Sequence, residues 1–426
     1  MTLLIKNVTI CNADNVEEDA DILIEGGMIG KTGKNIQAGA DRVVDGQGLH
    51  AFPGFLDLHA HLRDPGFTHK EDIVSGTKAA AAGGYTAICC MPNTKPVADS
   101  VETVRYMIEK AHGAGFCEVL PVASITKGMQ GRELTDFAAL LDAGAVAFSD
   151  DGLPVTEDGM VLAAMEKAKK LGTFLMLHEE DLALRGEGVV HEGSNAKQAG
   201  ICGIPRAAEE CMTARDIMYA EKTGAHIHIC HVSTEGSVQL IRRAKGRGMR
   251  ITCETGPHYF SATDAMILDK NPNAKMNPPL REERDRQAVC QGIADGTIDV
   301  IATDHAPHSS KEKAIGIEKA PFGIIGFETA FALAVTNLVD VGIIDWKDLA
   351  RLLSERPNAL LKRKGGKIAA GMPADMALCN VHEKYIYSEG SILSKAKNTP
   401  FIGKELCGRV TMTIREGKVT YDRQAD

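Results

Sequence analysis

No stretch of the chain reaches the ~18 uninterrupted apolar residues that a membrane span requires. The opening MTLLIKNVTICNADN also lacks a charged segment followed by a long apolar run. Membrane spanning and secretion are therefore not expected, and the reading is of a soluble, cytoplasmic protein. The eleven cysteines are odd in number and include no C-x-x-C pair, so they read as reduced thiols and not as a disulfide framework. Positive charge is in deficit, with 48 Lys+Arg against 57 Asp+Glu and a net charge of −9. That argues against nucleic acid or an anionic membrane as the partner, while leaving room for a local basic pocket that takes a small anion. What remains is ordinary for a globular protein: 44% hydrophobic and 25% charged residues. At roughly 100–200 residues per domain, 426 residues make two to four domains or one large barrel with an accessory unit. Such a length buries enough surface to fold without staples.

The texture of the chain changes twice. The first fifty or so residues read as short strands and tight turns, with Gly26-Gly27 placed for a two-residue hairpin. The last sixty resume that texture, with a second hairpin expected at Glu416-Gly417. Between them, apolar β-rich runs at 52–62, 85–91, 117–124, 145–151, 173–180, 226–233, 251–259 and 299–308 alternate with helix-like segments. Several of those segments end in a glycine at the C-cap position, and the eighth helix is expected near GFETAFALAVTNLVDVG. Eight such units over 55–364 predict a (β/α)₈ barrel, with a doubly wound sheet as the structural alternative. The run EGGMIGKTG falls short of a phosphate-binding loop, because Glu25 stands where that loop needs glycine and Lys31-Thr32 follows a hairpin.

Polar residues collect at the C-terminal ends of the predicted strands, the face on which barrels keep their active sites. The first strand ends in His59-Ala60-His61, and period-two alternation puts both imidazoles on one face. His178, His231 and Asp304 end the fifth, sixth and eighth strands, and Asp150-Asp151 the fourth. Such nitrogen and oxygen donors suit Zn²⁺, with Mn²⁺ or Co²⁺ as substitutes. In AVAFSDD the small Ala145, Ala147 and Ser149 share parity with Asp151, which makes Asp151 the inward carboxylate unless a bulge reverses the choice. In HIHICH, parity sets His226 and His228 opposite His231, packed against helices. His69, His112, His191, His258, His305 and His382 read as structural or solvated.

The motifs FPGFLDLHAHLRDPG (52–66), CMPNTKP (90–96), AFSDDG (147–152), NPPLR (277–281), DHAPH (304–308) and KAPFGIIGFET (319–329) follow one another across most of the chain. In them the chain resembles the amidohydrolase superfamily, and within it the dihydroorotases of the bacterial type I class. The resemblance implies a metal-dependent (β/α)₈ barrel over 55–364 and a small β-sandwich built from 1–54 and 365–426. It implies Zn²⁺, one or two ions per subunit with two expected. His59, His61, Asp304 and Asp151 would hold the first ion, and Asp151, His178 and His231 the second. Many relatives bridge two metals with a carboxylated lysine at the fourth strand; AFSDDG has none, and Asp151 takes that place. The implied reaction is reversible cyclisation of N-carbamoyl-L-aspartate to L-dihydroorotate in pyrimidine biosynthesis. A divalent ion lowers the pKa of water from 15.7 to about 7 and polarises the amide carbonyl, while Asp304 carries the proton.

The same resemblance assigns substrate contacts to His61, Arg63, Asn93, Asn277, His308 and the backbone at Phe322-Gly323. Arg63, aligned with the two histidines if the strand continues, would meet the substrate carboxylate together with Asn93 and His308. The loop 309–323 reads as a mobile flap over the site. A homodimer and an association with aspartate transcarbamoylase are the implied assemblies. The competing readings are another cyclic amidase (hydantoinase, dihydropyrimidinase or allantoinase) and a non-catalytic homologue serving as an assembly partner. The missing lysine speaks against the first, and the complete donor set against the second.

Overall fold

The computed structural model describes residues 2–424. At the ends of the chain, strands Thr2–Cys11, Val16–Glu25, Met28–Gly33, Arg42–Asp45 and His50–Pro53 join Met376–Ile386, Glu405–Arg415 and Lys418–Asp422 in one eight-stranded sheet. His50–Pro53 pairs antiparallel with Met376–Ile386 and stitches the two ends together. One face of the sheet carries a core of Leu3, Ile5, Ile22, Ile24, Met376, Leu378 and Ile414. The expected hairpins are present: Gly26 and Gly27 have φ of 56° and 84°, and Glu416 and Gly417 have 48° and 73°, the left-handed pair that a tight two-residue turn needs.

The middle of the chain forms the barrel. Its parallel strands are β1 (Phe55–Ala60), β2 (Tyr85–Cys90), β3 (Glu118–Ala123), β4 (Ala147–Phe148), β5 (Leu175–Leu177), β6 (Ile227–Ile229), β7 (Ile251–Thr255) and β8 (Val300–Ile301). They pair in sequence order, and the circle closes where His61 N–H donates to His305 O at 2.8 Å and Ala60 bridges His305. The eight helices that follow the strands are α1 (Ile73–Ala82), α2 (Val101–Ala114), α3 (Phe137–Asp142), α4 (Asp158–Leu171), α5 (Ala207–Thr223), α6 (Glu235–Gly246), α7 (Glu283–Ala294) and α8 (Phe327–Ala334). Gly115, Gly172 and Gly224 close α2, α4 and α5 in the left-handed conformation. The strands are shorter than the apolar runs predict, because the chain leaves the sheet before the polar residues that end each run.

Alternation along the strands sorts the core into two layers. Leu56, Leu58, Cys89, Val122, Ala147, Met176 and Val300 fill the barrel, while Ile88, Phe148, Leu175, Ile227 and Ile229 face the helices. β4 is two residues long, and its anchor is Phe148, which stacks on Phe137 of α3 with ring centroids 3.8 Å apart. Phe137→Ala removes a fully buried ring from that pair and should cost about 3–5 kcal/mol. Denaturant unfolding measures it, and a loss below about 1 kcal/mol would show that the helix layer holds β4 without the stack.

Candidate active site

At the C-terminal mouth of the barrel lies an open cavity of about 650 Å³. Every site residue expected from the sequence lines it except His59, which is fully buried behind the others. How the strands deliver these side chains differs from the simple alternation expected. In β1 the pairing with β2 shifts between Asp57 and Ala60, so a bulge turns His59 to the mouth although Leu56 and Leu58 point into the barrel. β1 ends at Ala60, so Arg63 does not continue the strand; it reaches the cavity from a left-handed turn at φ 60°. His231 and Asp304 have φ of 37° and 46°, backbone conformations that non-glycine residues hold only when the surroundings enforce them.

Two donor groups meet at Asp151: His59, His61 and Asp151 form one, and Asp151, His178 and His231 the other, each with its ligand atoms within 4.8 Å of one another. Asp151 Oδ1 lies 3.4 Å from His59 Nε2, 3.4 Å from His178 Nδ1 and 3.5 Å from His231 Nε2, and Oδ2 lies 3.4 Å from His61 Nε2. Asp304 Oδ1 is 3.0 Å from His61 Nε2 and 3.7 Å from His59 Nε2. Asp150 points away and accepts from the backbone N–H of Ile125 and Thr126 at 2.8 and 3.1 Å.

The nitrogens that face away from Asp151 are held by acceptors. His59 Nδ1 meets Glu254 Oε1 at 2.7 Å, His61 Nδ1 meets Asn93 Oδ1 at 2.8 Å, and His178 Nε2 meets Glu180 Oε2 at 3.4 Å. With protons on those nitrogens, the three imidazoles would offer their inward nitrogens as lone-pair donors to a cation bound beside Asp151.

The electrostatics call for a cation. Burial opposes the charged form of His178, yet Asp151 and Glu180 push its pKa up to about 10. Burial likewise raises Asp151, but His59, His178 and His231 hold it well below the usual carboxylate range. His59 Nε2 and Asp151 Oδ1 are buried and have no hydrogen-bond partner among the described residues, although they face each other. Buried polar atoms left unpaired in this way are costly unless a ligand engages them. The donor set therefore fits divalent cations, with Asp151 shared between two groups.

A further trio, His191, Asp264 and Glu282, gathers away from the cavity. There Arg281 Nη1 lies 3.2 Å from His191 Nδ1 and Arg206 Nη2 2.6 Å from Glu282 Oε2, so guanidinium groups already supply the positive charge.

The remaining expected residues form the cavity's other wall. Arg63 donates from Nε to Pro307 O at 3.3 Å and places Nη2 3.4 Å from His308 Nε2. Burial, together with Arg63 and Lys70, drives the His308 pKa down to about 2, so its ring is neutral. Its Nε2 is paired with Phe322 O at 2.8 Å. Gly323 has φ 127°, and a Cβ there would lie 2.6 Å from that of Ala306, so only glycine lets the backbone approach. The loop 309–323 lies against the site through Phe322, whose ring sits beneath Arg185 and Lys275. Lys313 Nζ clips it by donating to the carbonyls of Pro272, Lys275 and Pro321 at 3.1, 3.1 and 2.9 Å.

His228 corrects the parity reading. It is fully buried in the barrel interior, bonded to Thr252 Oγ1 at 2.9 Å and Glu254 Oε2 at 3.1 Å. The isoleucines beside it face the helices, and the left-handed turn at His231 returns that ring to the mouth. Glu254, Glu180, Arg185 and Lys70, whose Nζ lies 3.3 Å from His308 Nδ1, were not legible as residues that serve the site. Only the oddity of an acid inside the apolar run of β7 pointed to Glu254.

A (β/α)₈ barrel that gathers four histidines and two aspartates at its mouth, with a sheet built from both chain ends, defines an amidohydrolase. A family model described as Dihydro-orotase-like matches residues 49–237. Curated relatives named dihydroorotase align over essentially the whole chain. The one from Caldanaerobacter subterraneus subsp. tengcongensis is 46% identical over 99% of this chain and 98% of its own. Those from Geobacter sulfurreducens and Trichlorobacter lovleyi are 46% and 44% identical, covering 99% of this chain and 100% and 99% of theirs. This chain belongs to the dihydroorotase family. Its fold is also that of the L-hydantoinase (dihydropyrimidinase) of Arthrobacter aurescens, at a TM-score of 0.88 and 23% identity, covering 99% of this chain and 96% of that one.

Proposed function

We propose that this chain catalyses the reversible cyclisation of N-carbamoyl-L-aspartate to L-dihydroorotate, with two zinc ions held by His59, His61, Asp151, His178, His231 and Asp304. The observation that carries the reading is the convergence in one cavity of this donor set with Arg63, a cation suited to the carboxylate that dihydroorotate bears and a plain cyclic amide lacks. When bound, divalent ions supply Lewis acidity toward the amide carbonyl and toward water.

The chain's own residues do the rest. Asp304 keeps Oδ1 against His61 and leaves its carboxylate positioned to take a proton from attacking water and return it to the departing ring nitrogen; in ring closure it works in the opposite sense. Asn93, its Oδ1 occupied by His61, donates one NH₂ hydrogen to Asp151 O at 3.5 Å and has the other for the substrate carboxylate. Asn277 and the backbone at Phe322-Gly323 meet the ring amides, and Phe322 O has a second lone pair beyond the one His308 uses. The nearest alternative, a hydantoin- or allantoin-opening enzyme, is tested by comparing turnover of those amides with dihydroorotate.

Metal content gives the second test. Purified protein should hold one to two equivalents of zinc or a similar ion, and chelation should abolish activity reversibly. His178→Ala or His231→Ala should lower the second equivalent first. Because the metal-free His178 is an imidazolium at pH 7, uptake at that pH should release protons. Calorimetry in buffers of different ionisation enthalpy reads this directly, and metal uptake without proton release would remove His178 from the ligand set.

Family membership also supports a cytoplasmic site of action, a homodimer and association with an aspartate transcarbamoylase. No described helix is long and apolar enough to cross a membrane. Sedimentation with and without a transcarbamoylase reads both assemblies.

A further inference from the structure

Glu180 has no part in the proposed reaction beyond its contact with His178, yet its buried carboxylate lies between two residues that have one. Oε2 is 3.4 Å from His178 Nε2, and Oε1 accepts from Asn277 Nδ2 at 3.1 Å. Arg185 Nη1 reaches the same Oε2 at 3.4 Å. A primary amide has two nearly isosteric orientations, one offering oxygen and the other NH₂, so something must choose between them at Asn277. An ionised carboxylate only accepts. Oε1 therefore takes the NH₂ of Asn277 and leaves Oδ1 to face the cavity. The same constraint at Oε2 keeps the proton on His178 Nε2 and leaves Nδ1 toward Asp151.

We infer that Glu180 is a positioning residue whose single carboxylate sets both the amide orientation of Asn277 and the inward nitrogen of His178. Through Asn277 it selects a substrate that presents an N–H donor at that wall, as ureides do, over one that presents an acceptor. The inference rests on the proposed contact between Asn277 and the substrate, and the test separates the two.

Glu180→Gln keeps the shape but has one acceptor and one donor end, so either His178 loses its acceptor or Asn277 turns over and offers NH₂ instead of oxygen to the cavity. Asn277→Asp sets two carboxylates against each other. In the double variant the partners are restored with exchanged polarity. The introduced glutamine donates its NH₂ to the introduced carboxylate, and its amide oxygen accepts from His178. The new carboxylate still turns an oxygen to the cavity. With the zinc-loaded full chain and dihydroorotate, Glu180→Gln should lower kcat/KM about 10–100-fold, mainly through KM, the range for a lost hydrogen bond to a charged group. Asn277→Asp should lower it further, and the double variant should recover at least tenfold over Asn277→Asp.

Zinc loss under a chelator reads the other arm. The second equivalent should leave faster from Glu180→Gln and at the wild-type rate from the double variant. A residue that merely supported the fold would give no such reciprocal rescue. If the two single effects multiply in the double variant, the inference is wrong. If Glu180→Gln does not fold, the double variant carries the comparison with Asn277→Asp, and its failure to fold overturns the inference as well. Asn277→Ala at the wild-type rate would instead remove the Asn277 contact from the proposed function.

Discussion

Asp304→Asn should leave the barrel folded and its metal content close to wild type while lowering kcat about 10²–10⁴-fold in both directions, the range for a positioned general acid–base. Asparagine keeps the size and can still present an oxygen to His61 Nε2, where Asp304 Oδ1 lies 3.0 Å away. What it loses is the capacity to accept a proton. Burial raises the Asp304 pKa, but the hydrogen bond from His61 and the charge of His59 bring it below the usual carboxylate value. The group is therefore ionised at neutral pH and ready to act as the base in ring opening. Asp304 shares its surroundings with His59, His61 and Asp151, so the pH profile of kcat should report that assembly and not one carboxyl. The measurement is kcat for dihydroorotate and for N-carbamoyl-L-aspartate, with metal quantified in the same preparation. Near-native turnover with full metal would take the proton-carrying role away from Asp304.

The framework of this site is written in the sequence because the barrel concentrates its chemistry at strand ends. The alternation of β-rich runs with glycine-closed helices announces the barrel, and the donors stand where those runs stop. Parity picks the inward carboxylate at β4, where Ala147 points into the barrel, although that strand ends at Phe148 and Asp151 lies three residues beyond it. It fails at β6, where His228 lies inside the barrel and His231 reaches the mouth only through a left-handed turn. It succeeds at β1 for the wrong reason: a shift in pairing turns His59 inward, and Arg63 arrives from a turn beyond the strand. Period-two arguments therefore hold within a ladder and lapse at its end, where side chains are aimed by backbone geometry that no residue type announces. Glu254 and Glu180 stayed hidden for a related reason. Each acts by accepting a hydrogen bond from a histidine far away in sequence or across a turn, and an isolated acid in a run of residues does not show which ring it will meet.

Arg63→Met should collapse the preference of the wild-type protein for dihydroorotate over dihydrouracil, two rings that differ by one carboxylate. Arg63 is held by Pro307 O and lies beside His308, whose ring is neutral; Lys70 meets that ring at Nδ1, 3.3 Å away, but of the two cations it is Arg63 that lines the cavity. Leaving a carboxylate or a guanidinium unpaired in a partly desolvated pocket costs on the order of 2–5 kcal/mol, or about thirty- to several-thousand-fold. Wild type should therefore prefer dihydroorotate by at least that range. Methionine keeps much of the apolar stem and removes the charge, so the loss should fall on dihydroorotate, with little change for dihydrouracil and none in bound metal. The decisive quantity is the ratio of the two kcat/KM values, since general damage to the barrel cancels in it. Arg185 is the internal comparison. It borders the same cavity but lies over the Phe322 ring beside Glu180, so Arg185→Met should leave the ratio near that of wild type. If the ratio survives Arg63→Met and falls in Arg185→Met, the substrate lies turned about in the cavity, with its carboxylate against the wall formed by Glu180 and Asn277.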